Sequence, residues 1–164
     1  MLVRRFEVAP ALIVSSLLFG FLHIHVGSPF TGPNLLFVFN LALLGAIFGL
    51  AFLLAKSFWL PVAIYFAWNY FQGSVYGFAV SGAYHPPELL QLVRDGPNLL
   101  TGGTFGPEGS LIVSVICIII IIIIIIIIII IIIIIIIIII IIIIIIIIII
   151  VYCSHHGFFP NQRA

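Results

Sequence analysis

Phe58 to Gly82 reads FWLPVAIYFAWNYFQGSVYGFAVSG and sets polar groups in the middle of an apolar span. Tyr65, Asn69, Gln72 and Tyr76 recur at spacings of three and four, which predicts one shared face on a helix whose other faces are Val, Ala, Phe and Trp. Such a face has to meet something other than lipid. The sequence offers His23, at the end of the string SSLLFGFLH, as the group it meets.

Composition sets the class. Of 164 residues, 65% are hydrophobic and 5% charged, with a mean hydropathy of +1.54. A soluble domain carries roughly 25% charged residues. Several apolar runs approach the roughly 20 residues that cross a bilayer as helix, and none shows the alternation of a membrane barrel strand. The expected fold is an all-α, polytopic helical membrane protein with about four transmembrane helices, the last an over-long poly-isoleucine helix. The net charge of +1 leaves no basic stripe to neutralise phosphates, which excludes nucleic acid as a partner. Membrane lipid is the partner that composition implies.

A first helix is predicted from about Ala9 to His25, with Pro10 in its first turn and Gly27, Ser28 and Pro29 ending it. A second runs from Pro33 and Asn34 to about Leu54, and its Gly45 and Gly49 form a small-xxx-small pair suited to close helix packing. The third begins near Phe58, with Pro61 in its first turn and a second such pair at Gly73 and Gly77. Ser81 to Ser110 is rich in Pro and Gly and reads as a loop with a short helix near Pro87 to Arg94. From Leu111 the chain is apolar again, with an unbroken isoleucine run of 33 residues, Ile118 to Ile150.

A homopolymer encodes no register and no chemistry, so the tract is expected to be a greasy helical span without a site. The expected organisation is a membrane domain over 1–114, the poly-isoleucine span over 115–152 and a polar tail over 153–164. Cys117 and Cys153 flank the tract and, on one helix, lie too far apart to pair. A cytoplasmic N-terminus would put Arg4, Arg5, Lys56 and Arg163 inside and leave Arg94 in the outer loop.

Few groups are left to do chemistry. His23 reads either as a site residue or as a histidine reaching the interface. Asn69 reads either as interhelical glue or as an amide that orients a water, a carbonyl or an oxyanion. His155 and His156 have no carboxylate at ligand spacing and are assigned no role, and no metal site is expected. The acids Glu7, Glu88, Asp95 and Glu108 all fall in terminal or loop positions, so no carboxylate is expected in the membrane to act as general base.

The strings resemble the CPBP family of intramembrane endopeptidases, which includes the type II CAAX prenyl proteases and bacteriocin-immunity proteins. Phe19-Gly20-Phe21-Leu22-His23 is similar to the family's Phe-x-x-x-His motif. Leu60-Pro61 followed by Tyr65-Phe66-Ala67-Trp68-Asn69 is similar to its Leu-Pro-x-x-x-His-x-x-x-Asn phrase. Gly73, Val80-Ser81-Gly82 and the loop LTGGTFGPEG from Leu100 to Gly109 also look like bacterial members.

The resemblance implies hydrolysis of peptide bonds near the membrane, with a peptide or prenylated protein as substrate. It implies His23 as the second-motif catalytic histidine, Asn69 as the third-motif asparagine that stabilises charge on the cleaved carbonyl, and Tyr65 in place of the third-motif histidine. The family's Glu-Glu-x-x-x-Arg motif, expected just before Arg4, is absent, which implies an N-terminally truncated member. Whether a metal or a glutamate-activated water serves the intact site stays open, so the cofactor is unknown. With the glutamate pair missing and a tyrosine at position 65, the chain is expected to be catalytically silent. The alternatives are a non-enzymatic membrane partner or immunity protein that uses the 81–110 loop for recognition, or a non-functional gene fragment. The expected location is a bacterial plasma membrane.

Overall fold

The structure is a computed structural model that describes residues 8–24, 32–83, 87–90, 92 and 95–155, the last three of these as backbone. It is all-α. Helix α1 is Val8–Phe21, α2 is Gly32–Ala55 and α3 is Trp59–Asn69, which passes into a π-helical segment, Tyr70–Val75. A single turn, α4, covers Asn98–Thr101, a 3-10 segment covers Gly103–Gly109, and α5 runs over Leu111–His155. Residues Met1–Ile124 form one compact unit and Ile125–Ala164 a second. In its described part the second unit is helix alone, with isoleucine side chains about half exposed.

Among the described residues, two spans are long and apolar enough to cross a membrane, Gly32–Ala55 and Gly103–Tyr152. Helix α1, at 14 residues, and α3, at 11, fall short of the roughly 20 that a straight crossing takes. The reason for the short α1 is local. After Phe21 the backbone tightens to three-residue bonds, His23 N–H to Gly20 O at 3.2 Å and Ile24 N–H to Phe21 O at 3.1 Å, which closes the helix about one turn earlier than the apolar run suggests. His23 therefore sits in the closing turn and outside the helix proper.

Helix α2 is the central element. Phe37, Leu41, Leu44 and Ile47, spaced four and three apart, form a buried stripe that meets Val113 and Cys117 of α5. Phe105 of the 3-10 segment stacks on Phe37 with ring centroids 4.4 Å apart. The opposite flank of α2 receives α1, where glycines let the backbones close. A Cβ on Gly20 would stand 2.7 Å from the Val38 carbonyl oxygen, and one on Gly45 would stand 3.1 Å from the Ser16 Cα. Gly45 and Gly49 are thus the close-packing surface their spacing predicts, and Gly20 is its counterpart on α1. In lipid this is how helices associate, since van der Waals fit replaces the hydrophobic drive that water would supply.

The polar face of 58–82 does not stay in one piece. Asn69 is the last α-helical residue, and the π segment that follows bonds Tyr76 N–H to Phe71 O at 3.0 Å. A π turn takes more residues than an α turn, so every later side chain lags behind its α-helical phase. Tyr65, Asn69 and Gly73 then line one cavity, while Gln72 and Tyr76 line another. The expectation of a single face of four is corrected to two faces of different use.

The 81–110 stretch is likewise less of a loop than its composition suggests. No helix occurs among the described residues of 87–94, and the short helix lies at Asn98–Thr101 instead. Gly106, Glu108, Gly109 and Ser110 are buried. Gly106 has φ 71°, and a Cβ there would run into the Ala79 carbonyl, so the segment can wedge against the chain near Ala79 only with glycine at that position.

Candidate functional site

A cavity of about 600 Å³ opens between the turn after α1, the end of α3 and the turn at Val80–Ala83, and His23, Tyr65, Asn69, Gly73 and Ser81 contribute to its lining. The three residues singled out from the sequence, His23, Asn69 and Tyr65, are thus brought to one place from two helices. Their setting is aromatic. The Phe19 ring lies 4.7 Å from the His23 ring and 6.2 Å, edge to face, from Tyr65, while Phe48 of α2 meets Tyr65 edge to face at 5.7 Å.

His23 has a defined orientation. Its Nδ1–H donates to the Phe19 carbonyl oxygen at 2.7 Å, using an acceptor that the end of α1 would otherwise leave open. A carbonyl only accepts, so in the neutral ring the proton is on Nδ1 and Nε2 is left as a lone-pair acceptor. The spacing of Phe19 and His23 therefore has a mechanical meaning here: residue i supplies both the ring and the carbonyl that hold residue i+4. Among the described residues the Asn69 side-chain amide has no hydrogen-bond partner, and it lines the cavity.

Glu108 is where the sequence reading is overturned. Placed by composition in a loop, it is 2% exposed. Oε1 accepts the Trp68 indole N–H at 3.0 Å, and Oε2 accepts the Ser81 backbone N–H at 2.8 Å, with the Ser81 hydroxyl at 3.4 Å. A carboxyl is thus present beside the cavity after all, with each oxygen turned to a donor of the protein. The backbone around it is held by Asn40, fully buried on α2, whose Nδ2 donates to the carbonyls of Glu108 at 2.7 Å and Ser110 at 2.8 Å.

Asn40 was missed although it had a signal, a lone amide inside the apolar string FVFNLALL. Glu108 had none, because glycine and proline on both sides of it read as open loop. His155 and His156 belong to the C-terminal residues whose side chains lie outside the described set, as does Cys153. Among the described residues no group of three His, Cys, Asp or Glu side chains converges to hold a metal.

A second cavity, of about 500 Å³, lies on the other side of α3 against Trp68, Phe71, Gln72, Tyr76, Phe78 and Pro107, among others. Gln72 Nε2 donates to the Ala79 carbonyl at 2.6 Å, while its buried Oε1 has no partner among the described residues.

Two long apolar spans and a polar cavity built by the shorter helices define an integral membrane protein with an internal polar site. Residues 1–71 match the family model of the type II CAAX prenyl endopeptidases, Rce1-like, and this match supports membership in the CPBP and CAAX-protease family that the motifs resemble. The matched part contains His23, Tyr65 and Asn69 and stops short of Ser81 and Glu108. No curated protein and no solved structure matches the chain.

Proposed function

We propose that this chain is a CAAX-protease-like intramembrane peptidase homologue that keeps the family's cavity and is silent in peptide hydrolysis. The observation that carries the reading is the convergence of His23, Tyr65 and Asn69 on one cavity. Peptide hydrolysis needs a group that takes a proton from water and a donor that meets the oxyanion. The Asn69 amide suits the second role. For the first, the cavity offers His23 Nε2, and Tyr65 stands where the family phrase has a second histidine.

Glu108 does not supply the missing base in this arrangement, because it is buried behind the residues that line the cavity, with its two oxygens turned to Trp68 and Ser81. What remains is a pocket in which His23 Nε2 accepts and the Asn69 amide and the Tyr65 and Ser81 hydroxyls can both donate and accept, suited to holding an extended peptide segment by its amide groups. The proposed setting is a bacterial plasma membrane with the N-terminus in the cytoplasm, supported by the placement of Arg4, Arg5 and Lys56. The test is a cleavage assay on the full chain purified in detergent, with plain and prenylated peptides. Turnover no greater than in buffer is expected; turnover that His23→Ala abolishes would overturn the reading.

A further inference from the structure

We propose that Glu108 is the positioning residue of the His23 cavity, clamping the turn that carries Ser81 to the helix that carries Asn69. The inference rests on reading that cavity as the functional site. It starts from the turn. Val80 and Ala83 exchange both backbone hydrogen bonds at 2.8 Å, and the two residues between them take positive φ, 49° at Ser81 and 80° at Gly82. That is the two-residue hairpin geometry normally filled by Asn-Gly or Gly-Gly, and serine is a poor fit to its first position.

Something outside the turn has to favour it. The Ser81 N–H points away from the Val80–Ala83 bonds and is accepted by Glu108 Oε2 at 2.8 Å. The other oxygen of the same carboxyl accepts the indole of Trp68, the residue before Asn69 on α3, at 3.0 Å. One side chain therefore ties two walls of the cavity together from behind, and Asn40 in turn fixes its backbone from α2. A carboxyl is the side chain that can do this, because it offers two acceptors in a plane where an amide of the same shape offers one.

The experiment uses the full chain in detergent micelles and reads amide hydrogen exchange together with the imidazole nitrogen resonances of His23, assigned by their loss in His23→Gln. In Glu108→Gln the Ser81 amide is expected to exchange about tenfold faster, as for loss of one good hydrogen bond. The His23 resonances are expected to shift, while amides of 37–50 in α2 keep their wild-type protection. A shared fall in protection across Ser81 and 37–50 would reduce Glu108 to a fold-stabilising residue and overturn the proposal, as would unchanged Ser81 exchange.

Should Glu108→Gln fail to fold, Trp68→Phe carries the test, since Trp68 bonds Glu108 and not Ser81. It frees one oxygen of the clamp, and Ser81 exchange is expected to rise by about threefold with 37–50 unchanged; no change at Ser81 would overturn the clamp. These readouts do not depend on turnover. A chain that cleaves peptide would sink the silent-homologue reading and leave the clamp to be decided by Ser81 alone.

Discussion

The Ser114 hydroxyl donates to Asn40 Oδ1 at 2.6 Å, joining α2 to α5 through two buried polar side chains. Because Asn40 Nδ2 also donates to the carbonyls of Glu108 and Ser110, one amide closes the gap between two helices and the 3-10 segment. Asn40→Ala takes the donor from the Glu108 carbonyl, leaves the Ser110 carbonyl only the longer bonds from Ser114 at 3.4 Å, removes the acceptor of the Ser114 hydroxyl, and is expected to destabilise the fold by about 2–3 kcal/mol. Asn40→Asp is expected to be worse, since it sets a carboxylate against those same carbonyl oxygens. Thermal unfolding in detergent checks the order, and equal midpoints for the two variants would contradict it.

Gly20 and Gly49 both lie where α1 meets α2, yet they should respond differently to alanine. At Gly20 the new Cβ would meet backbone, the Val38 carbonyl oxygen at 2.7 Å, so the helices must part. At Gly49 the obstacle is the Leu12 side-chain tip, which can swing aside. Gly20→Ala is expected to cost about 1–3 kcal/mol by overpacking. Gly49→Ala should come out near neutral, because alanine recovers helix propensity of about 1 kcal/mol. Unfolding midpoints of the two variants decide this, and a larger loss at Gly49 would refute the backbone argument.

Much of this architecture is legible in the chain, and the parts that are not share a physical cause. The apolar runs and the Gly45 and Gly49 packing pair follow from local spacing, which a sequence displays directly, while the approach of His23 to the distant Tyr65 and Asn69 is anticipated only through the family motifs these residues resemble. The π segment at Tyr70–Val75 is different. Its string YFQGSV contains no residue that forbids continuing as α-helix, so the phase slip that separates Gln72 from Asn69 is set by what packs around it. Glu108 was invisible for a further reason. Its burial depends on Trp68, Ser81 and Asn40, which lie 40, 27 and 68 residues away, and no pattern within the Gly-Pro segment anticipates them.

Tyr65→His restores the residue type that the family phrase has at this position, and turnover is not expected to follow. The Tyr65 ring packs edge to face on both Phe19 and Phe48, so the smaller imidazole forfeits part of two aromatic contacts, a loss of about 1–2 kcal/mol. Cleavage should stay at background, because Glu108 remains bonded to Trp68 and Ser81. A peptide assay and an unfolding curve on the same preparation test both halves. Turnover in Tyr65→His would show that position 65 alone silences the site.

Deleting residues 130–150 is expected to leave the first unit as it is. The isoleucines that pack against the core are Ile121 and Ile124, and the compact unit ends at Ile124. The deleted stretch lies wholly within the second unit, whereas every residue of the core cluster belongs to the first. The isoleucines therefore contribute apolar length and helix continuity, and the cavity residues have no stake in them. The shortened chain should insert into membranes and keep the same amide protection over 37–50 as the full chain. Failure of α1 and α2 to insert would show that the tract is needed to assemble the first unit.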